Sequence, residues 1–113
     1  LSGLVDCYST QFKHRVVNET KETNSLTEIV YMDCYDINEL LASNKLYKID
    51  FLSVDTEGSE PEIIKHIDYK TFDIFCIVCE NNYDEPEVRE FLASKGYNFE
   101  HRSVIDDFFV KTN

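Results

Sequence analysis

Glycine is scarce in this chain. Only Gly3, Gly58 and Gly96 occur in 113 residues, and none lies in a Gly-x-Gly context. That excludes a glycine-rich turn that would bring backbone close to a nucleotide-like ligand at a helix N-terminus. Basic residues are also few, with 11 Lys and Arg against 22 Asp and Glu and a formal net charge of −11. Such a balance excludes binding of nucleic acid or an anionic membrane through a basic face, and leaves metal cations and cationic partners open. No apolar run is long enough to cross a bilayer. No signal-peptide pattern stands at the start, and the first residue is Leu1, so the chain reads as a processed or fragmentary product.

What is present suits a folded domain. The length corresponds to one domain or part of one, able to bury about 65% of the surface its unfolded chain exposes. Hydrophobic residues make up 42% and aromatic residues 13%, a globular composition. Of the four cysteines (Cys7, Cys34, Cys76 and Cys79), the last two spell Cys-x-x-Cys inside an apolar strand. Residues three apart on a strand point to opposite faces, so this pair is expected to pack in a core and not to share a metal or a disulfide. Free thiols of this kind fit a reducing, cytoplasmic compartment.

Three helix starts carry one signal. Asp36 is followed three residues later by Glu39, Ser59 by Glu62 and Asp84 by Glu87. Each reads as a capping box or its aspartate variant. Behind them, Ile37, Leu40 and Leu41, then Ile63, Ile64 and Ile67, then Val88, Phe91 and Leu92 repeat at helical spacing. Pro61 suits a first helical turn, and Gly96 suits a helix stop in the left-handed region. Between the helices, residues 49–55 and 72–80 read as strands, the second a nearly continuous apolar run that suits a strand covered on both faces. Residues 97–102 and 105–111 read as a closing hairpin, and residues 12–17 and 28–34 as an earlier one. The order from residue 36 predicts an α/β domain with a mostly parallel sheet and one antiparallel strand at its end. Residues 1–35 form a hairpin-like lead-in, and 36–113 the alternating core.

The most telling stretch is Asp50-Phe-Leu-Ser-Val-Asp55-Thr-Glu57-Gly58-Ser-Glu60. An apolar strand runs into two carboxylates, a glycine and a helix start. In parallel sheets, ligands collect at the carboxyl ends of strands. Glu80 ends the next strand, so if the two pair, Asp55, Glu57 and Glu80 converge from strand ends roughly 5 Å apart. Carboxylates crowded in this way raise one another's pKa, and one of them becomes a candidate general base. The competing reading is helix-terminus electrostatics, which also covers Glu60 and Glu62. His66, late in its helix, is expected to complement the helix C-terminus.

This stretch resembles the signature of FkbM-type methyltransferases, a strand followed by Asp-x-Glu-Gly-x-Glu opening a helix. The likeness extends to Asp36-Ile-Asn-Glu-Leu-Leu, Ile77-Val-Cys-Glu80, Gly96-Tyr97 and Asp106-Asp107-Phe-Phe-Val-Lys111, over roughly residues 29–111. The resemblance implies a Rossmann-like fold, of which this chain would be the C-terminal portion. It also implies S-adenosylmethionine as methyl donor, held by a glycine-rich loop that the chain lacks. It implies Asp55, Glu57 and Glu80 as catalytic residues, with Asp55 also on the cofactor side, and a small-molecule, glycan or lipid hydroxyl as acceptor. By analogy of position with catechol-type O-methyltransferases, Asp55, Glu80 and Asn81 could ligate a divalent metal.

Two other readings compete. One is a non-catalytic interaction segment that keeps the fold. The other is a receiver-like signalling module with Asp55 as phosphoacceptor and Lys111 as its charged partner. The acids beside Asp55 would repel phosphate and count against the receiver. If the strand at 49–55 has an open edge, the chain is expected to form homo-oligomers through it unless residues 12–34 cover it.

Overall fold

The computed structural model describes residues 20–21 and 26–113. From residue 26 on, three helices and four strands alternate: α1 (Ile37–Ser43), β1 (Lys48–Val54), α2 (Glu60–His66), β2 (Asp73–Glu80), α3 (Glu87–Ser94), β3 (Tyr97–Ser103) and β4 (Asp106–Lys111). Asp36 caps α1 as expected, its carboxylate accepting from the backbone N–H groups of Asn38 (2.9 Å) and Glu39 (3.2 Å). Gly96 follows α3 with φ +86°, the left-handed geometry that ends a helix without a Cβ penalty.

The other two capping boxes do not form. Ser59 stands at the N-terminus of α2 without a side-chain cap. Its hydroxyl donates instead to Thr56 Oγ1 at 2.7 Å. Asp84 lies outside α3, which starts after Pro86. It has φ +54° and gives its carboxylate to Arg89 Nη2 at 2.5 Å. In both cases a side chain a few residues away along the chain took the place of the helix end as partner.

The sheet order is β1-β2-β4-β3. β1 and β2 pair parallel, while β4 runs antiparallel to both β2 and β3. The domain is thus α/β with a mixed sheet, and the expected predominance of parallel pairing is not found among the described residues. β4 alone runs against the other three strands. Residues 28–34, expected as a strand, carry none. Ile29, Val30, Tyr31 and Met32 are exposed there, and a strand with no partner is not stable. The companion segment 12–17 lies outside the described residues.

One continuous core joins the layers. Leu41 of α1, Ile64 of α2 and Leu92 of α3 meet Val54, Ile77, Cys79 and Phe109 of the sheet. Each such side chain contributes about 1.5–3 kcal/mol on full burial. The 76/79 cysteines behave as read: Cys79 is buried, Cys76 is half-buried, and both are free thiols. Burial pushes the Cys79 thiol up to about 12, so it is inert packing. His66 does more than complement its own helix. It pairs with Asp36, and Asn38 Nδ2 donates to the His66 carbonyl at 2.9 Å. The end of α2 is thereby clipped to the start of α1.

Candidate functional site

The parallel register decides what meets at the carboxyl end of the sheet. Val54 of β1 lies beside Cys79 of β2, so the next residues, Asp55 just past β1 and Glu80 at the end of β2, stand side by side. The chain then turns sharply. Glu57 has φ +56° and Gly58 φ +118°. A glutamate in the left-handed region costs about 1–2 kcal/mol, so something must hold it there.

Glu60 does so. It is only 5% exposed. One carboxylate oxygen accepts from Thr56 N–H at 2.7 Å and the other from Gly58 N–H at 2.9 Å. The side chain of the first residue of α2 thus staples the turn that presents Glu57. The sequence marked Glu60 only as a helix-start acid. The usable signal was its place two residues after a glycine that must turn.

The result is a cluster of three carboxylates. Single oxygens from Asp55, Glu57 and Glu80 all lie within 4.8 Å of one another. Glu80 Oε1 accepts from Asn82 Nδ2 at 2.8 Å. Glu80 Oε2 and Glu57 Oε2 are buried without a hydrogen-bond partner. Burial first, and then the neighbouring Asp55 carboxylate, push the Glu80 carboxyl up to about 7. Two facing carboxylates cannot bond without a hydrogen between them. The pair can therefore hold or release one proton near neutral pH.

Asn81 does not join the cluster. Its amide nitrogen donates to the Glu85 carbonyl (2.8 Å) and to Asp107 Oδ2 (2.9 Å), and its amide oxygen accepts from Glu85 N–H (2.9 Å). Asp55, Glu57 and Glu80 are the acidic residues whose oxygens lie close enough together for a divalent cation, and Asn81 lines the cleft beside Glu57 and Glu80 with its side-chain bonds made to Glu85 and Asp107. Asn81 serves a second centre behind β2. Asp107, 1% exposed, accepts from Arg89 Nε (2.7 Å), Arg89 Nη2 (2.9 Å) and Arg102 Nη1 (3.1 Å). Burial opposes the Asp107 charge, but the bonds from Arg89, Asn81 and Arg102 outweigh it and hold the carboxyl below its usual range. Arg102 Nη2 also donates to the Asn81 carbonyl at 2.7 Å. This network anchors the end of β2, and with it Glu80.

A shallow cleft of about 110 Å³ opens beside the carboxylates. Glu57, Gly58, Glu80, Asn82, Tyr83 and Glu85 are among its lining residues. Lys111 is remote from it. Lys111 pairs with Asp73 at 2.5 Å, at the opposite end of β2 from Glu80. The receiver reading thus loses its charged partner.

Residues 5–99 match the family model of the methyltransferase FkbM domain. No curated protein and no solved structure matches the chain.

Proposed function

Because the chain belongs to the FkbM methyltransferase domain family, we propose that it takes part in transferring a methyl group from S-adenosylmethionine to a hydroxyl oxygen. The acceptor is a small molecule, a glycan or a lipid, and the reaction is placed in the cytoplasm. The chain is read as the C-terminal portion of a Rossmann-like domain. Supporting this are three strands sharing one direction, with β4 reversed beside them. Among the described residues no helix is long and apolar enough to cross a membrane.

The observation that carries the chemistry is the Asp55–Glu80 pair. With its carboxyl near 7, Glu80 suits a general base at neutral pH. As the acceptor oxygen gains its carbon, its proton passes to Glu80, and Asp55 shares that proton across the strand ends. The glutamate at 57 completes the acidic wall on the acceptor side. S-adenosylmethionine, when bound, would supply the methyl from its sulfonium, with the electron pair of the broken bond staying on sulfur.

The described residues alone do not fit that donor. A water needs about 10–15 Å³ on this scale, so the cleft of about 110 Å³ takes the end of a small molecule, not a nucleoside. It suits the acceptor. Asp55, exposed and within 4.8 Å of Glu57 and Glu80, is the described residue proposed to face the donor.

The test is label transfer. The protein is incubated with methyl-labelled S-adenosylmethionine and a panel of hydroxyl acceptors, and products are read by mass spectrometry. Labelled ether is expected, and Glu80→Gln should lower turnover by about 10²–10⁴-fold at a melting temperature no lower than the parent's. Equal turnover by that variant would remove Glu80 as the base.

A second reading, an interaction segment without catalysis, draws on one observation. β1 is an open edge of the described sheet, and its Phe51 is 57% exposed.

A further inference from the structure

Glu80 ends β2 and runs directly into a closely tied loop, residues 81–85. Asp84 N–H donates to the Asn81 carbonyl at 3.2 Å, which closes a β-turn with Asn82 and Tyr83 at its centre. The Asn81 side chain spans the same loop. Its amide oxygen accepts from Glu85 N–H, and its amide nitrogen donates to the Glu85 carbonyl. The loop is also held from outside. Asn81 N–H donates to the Ile105 carbonyl at 2.7 Å, and Arg102 Nη2 donates to the Asn81 carbonyl at 2.7 Å. Arg89 Nη2 holds Asp84, whose φ is +54°. A non-glycine residue in that region is uncommon, so these supports set the shape of the loop.

That shape places Asn82 against the carboxylates. Its Nδ2 donates to Glu80 Oε1 at 2.8 Å, two residues back along the chain. Asp55, Glu57 and Glu80 only accept when ionised, so Asn82 brings a donor to the group. The last torsion of a glutamate is broad when nothing holds it. Here it cannot turn without breaking the Asn82 bond. With Oε1 engaged, Oε2 is the oxygen left to take a proton, and it has no hydrogen-bond partner.

We propose that Asn82 is a positioning residue for the transfer: it pins Glu80 so that Oε2, on the Asp55 side, is the oxygen that receives the acceptor's proton. The proposal rests on Glu80 being the base and adds the residue that orients it. Asn82 also lines the cleft, so the competing role is direct contact with the acceptor, and kinetics separate the two.

The first measurement is NMR on the isotope-labelled chain. When Glu80→Gln removes the charge from its acceptor, the side-chain amide signals of Asn82 should move by more than those of Asn81, whose partners are Glu85 and Asp107. Equal movement, or none, overturns the proposal, and this arm stands even if no Asn82 variant folds. The second is label transfer from methyl-labelled S-adenosylmethionine to glucose, glycerol and 1-octanol. Asn82→Ala, checked by unchanged amide positions in β2 and β4, should lower kcat by about 10²-fold, the effect of a small misplacement of a reacting group, at an unchanged KM. In the Glu80→Gln background the same change should cost almost nothing, because both act through one group. A merely structural role would cost the same in both backgrounds. Unchanged kcat, a raised KM at unchanged kcat, or equal losses in the two backgrounds each overturn the positioning role and leave the methyl-transfer reading standing. No transfer by the parent to any of the three acceptors overturns both together.

Discussion

Asp55 and Glu80 follow paired positions on two parallel strands and face each other with acceptor oxygens only. Glu80 Oε2 is buried there without a hydrogen-bond partner. The pH dependence of stability follows from that relationship. The Glu80 carboxyl rises from 4.5 to about 7 on folding, through burial first and the shared hydrogen bond with Asp55 second. The folded chain thus holds this proton more tightly than the unfolded chain does. The stability it contributes is full below 4.5 and is lost as pH rises through about 7. In Glu80→Gln the new amide donates to Asp55 at every pH. That variant should be more stable than the parent by about 1 kcal/mol on the alkaline side of the transition, and close to equal on the acid side. Urea denaturation on both sides measures the difference. A gap of the same size on both sides would mean that Glu80 and Asp55 do not share a proton.

Glu57 combines an unfavourable backbone with a buried, unpartnered oxygen. Glu57→Gly relieves the left-handed strain of about 1–2 kcal/mol and gives back about 0.5–1 kcal/mol in chain entropy. A small net stabilisation is expected, visible as a raised melting temperature, together with loss of binding in the cleft. Strain kept at a functional turn would explain that trade. A destabilised Glu57→Gly would show that the glutamate is structural.

The sequence exposed those parts of the molecule that depend on neighbouring residues. Asp36 caps α1 because its acceptors lie two and three residues away, and Gly96 stops α3 because only the local backbone is involved. The strand ends at Asp55 and Glu80 were legible for a similar reason, since apolar runs and their last residues are visible in one dimension. Where a distant partner decides, the reading failed. Asn81, which lines the cleft, gives its amide to Asp107, 26 residues onward, a bond no local pattern shows. The apolar run at 29–32 had the composition of a strand but found no partner. Glu60 was read as a helix-dipole acid because its two bonds depend on a turn shape that no residue pattern spells out.

The Asp107 centre makes a separate prediction. Asp107 holds Arg89 and Arg102, each about one quarter exposed. Asp107→Ala leaves two half-buried guanidinium groups without their main acceptor and should cost about 3–5 kcal/mol. Asp107→Asn should cost less, because an amide oxygen still accepts one bond. The carboxyl is held below its ordinary value of 3.8. Its stabilisation is therefore present above that value and is lost as pH falls through the lower folded one. Acid unfolding of the parent should be steeper than that of Asp107→Asn. Denaturant titration of both variants tests this. A loss below about 1 kcal/mol for the alanine variant would put the network on a par with exposed surface pairs.

The open edge of β1 carries the last prediction. Among the described residues β1 pairs only with β2, and its Phe51 is exposed. Unpaired backbone beside an exposed aromatic is a template for another strand. The chain is proposed to self-associate there, and sedimentation velocity should show a sedimentation coefficient that rises with concentration. Phe51→Lys places a charge on the edge strand, a device that discourages edge pairing. It should shift the equilibrium to monomer and change folding stability by no more than about 0.5 kcal/mol, as exposed substitutions do. If the parent sediments as a monomer at all concentrations, β1 is not a docking edge, and the interaction-segment reading loses the observation that favoured it.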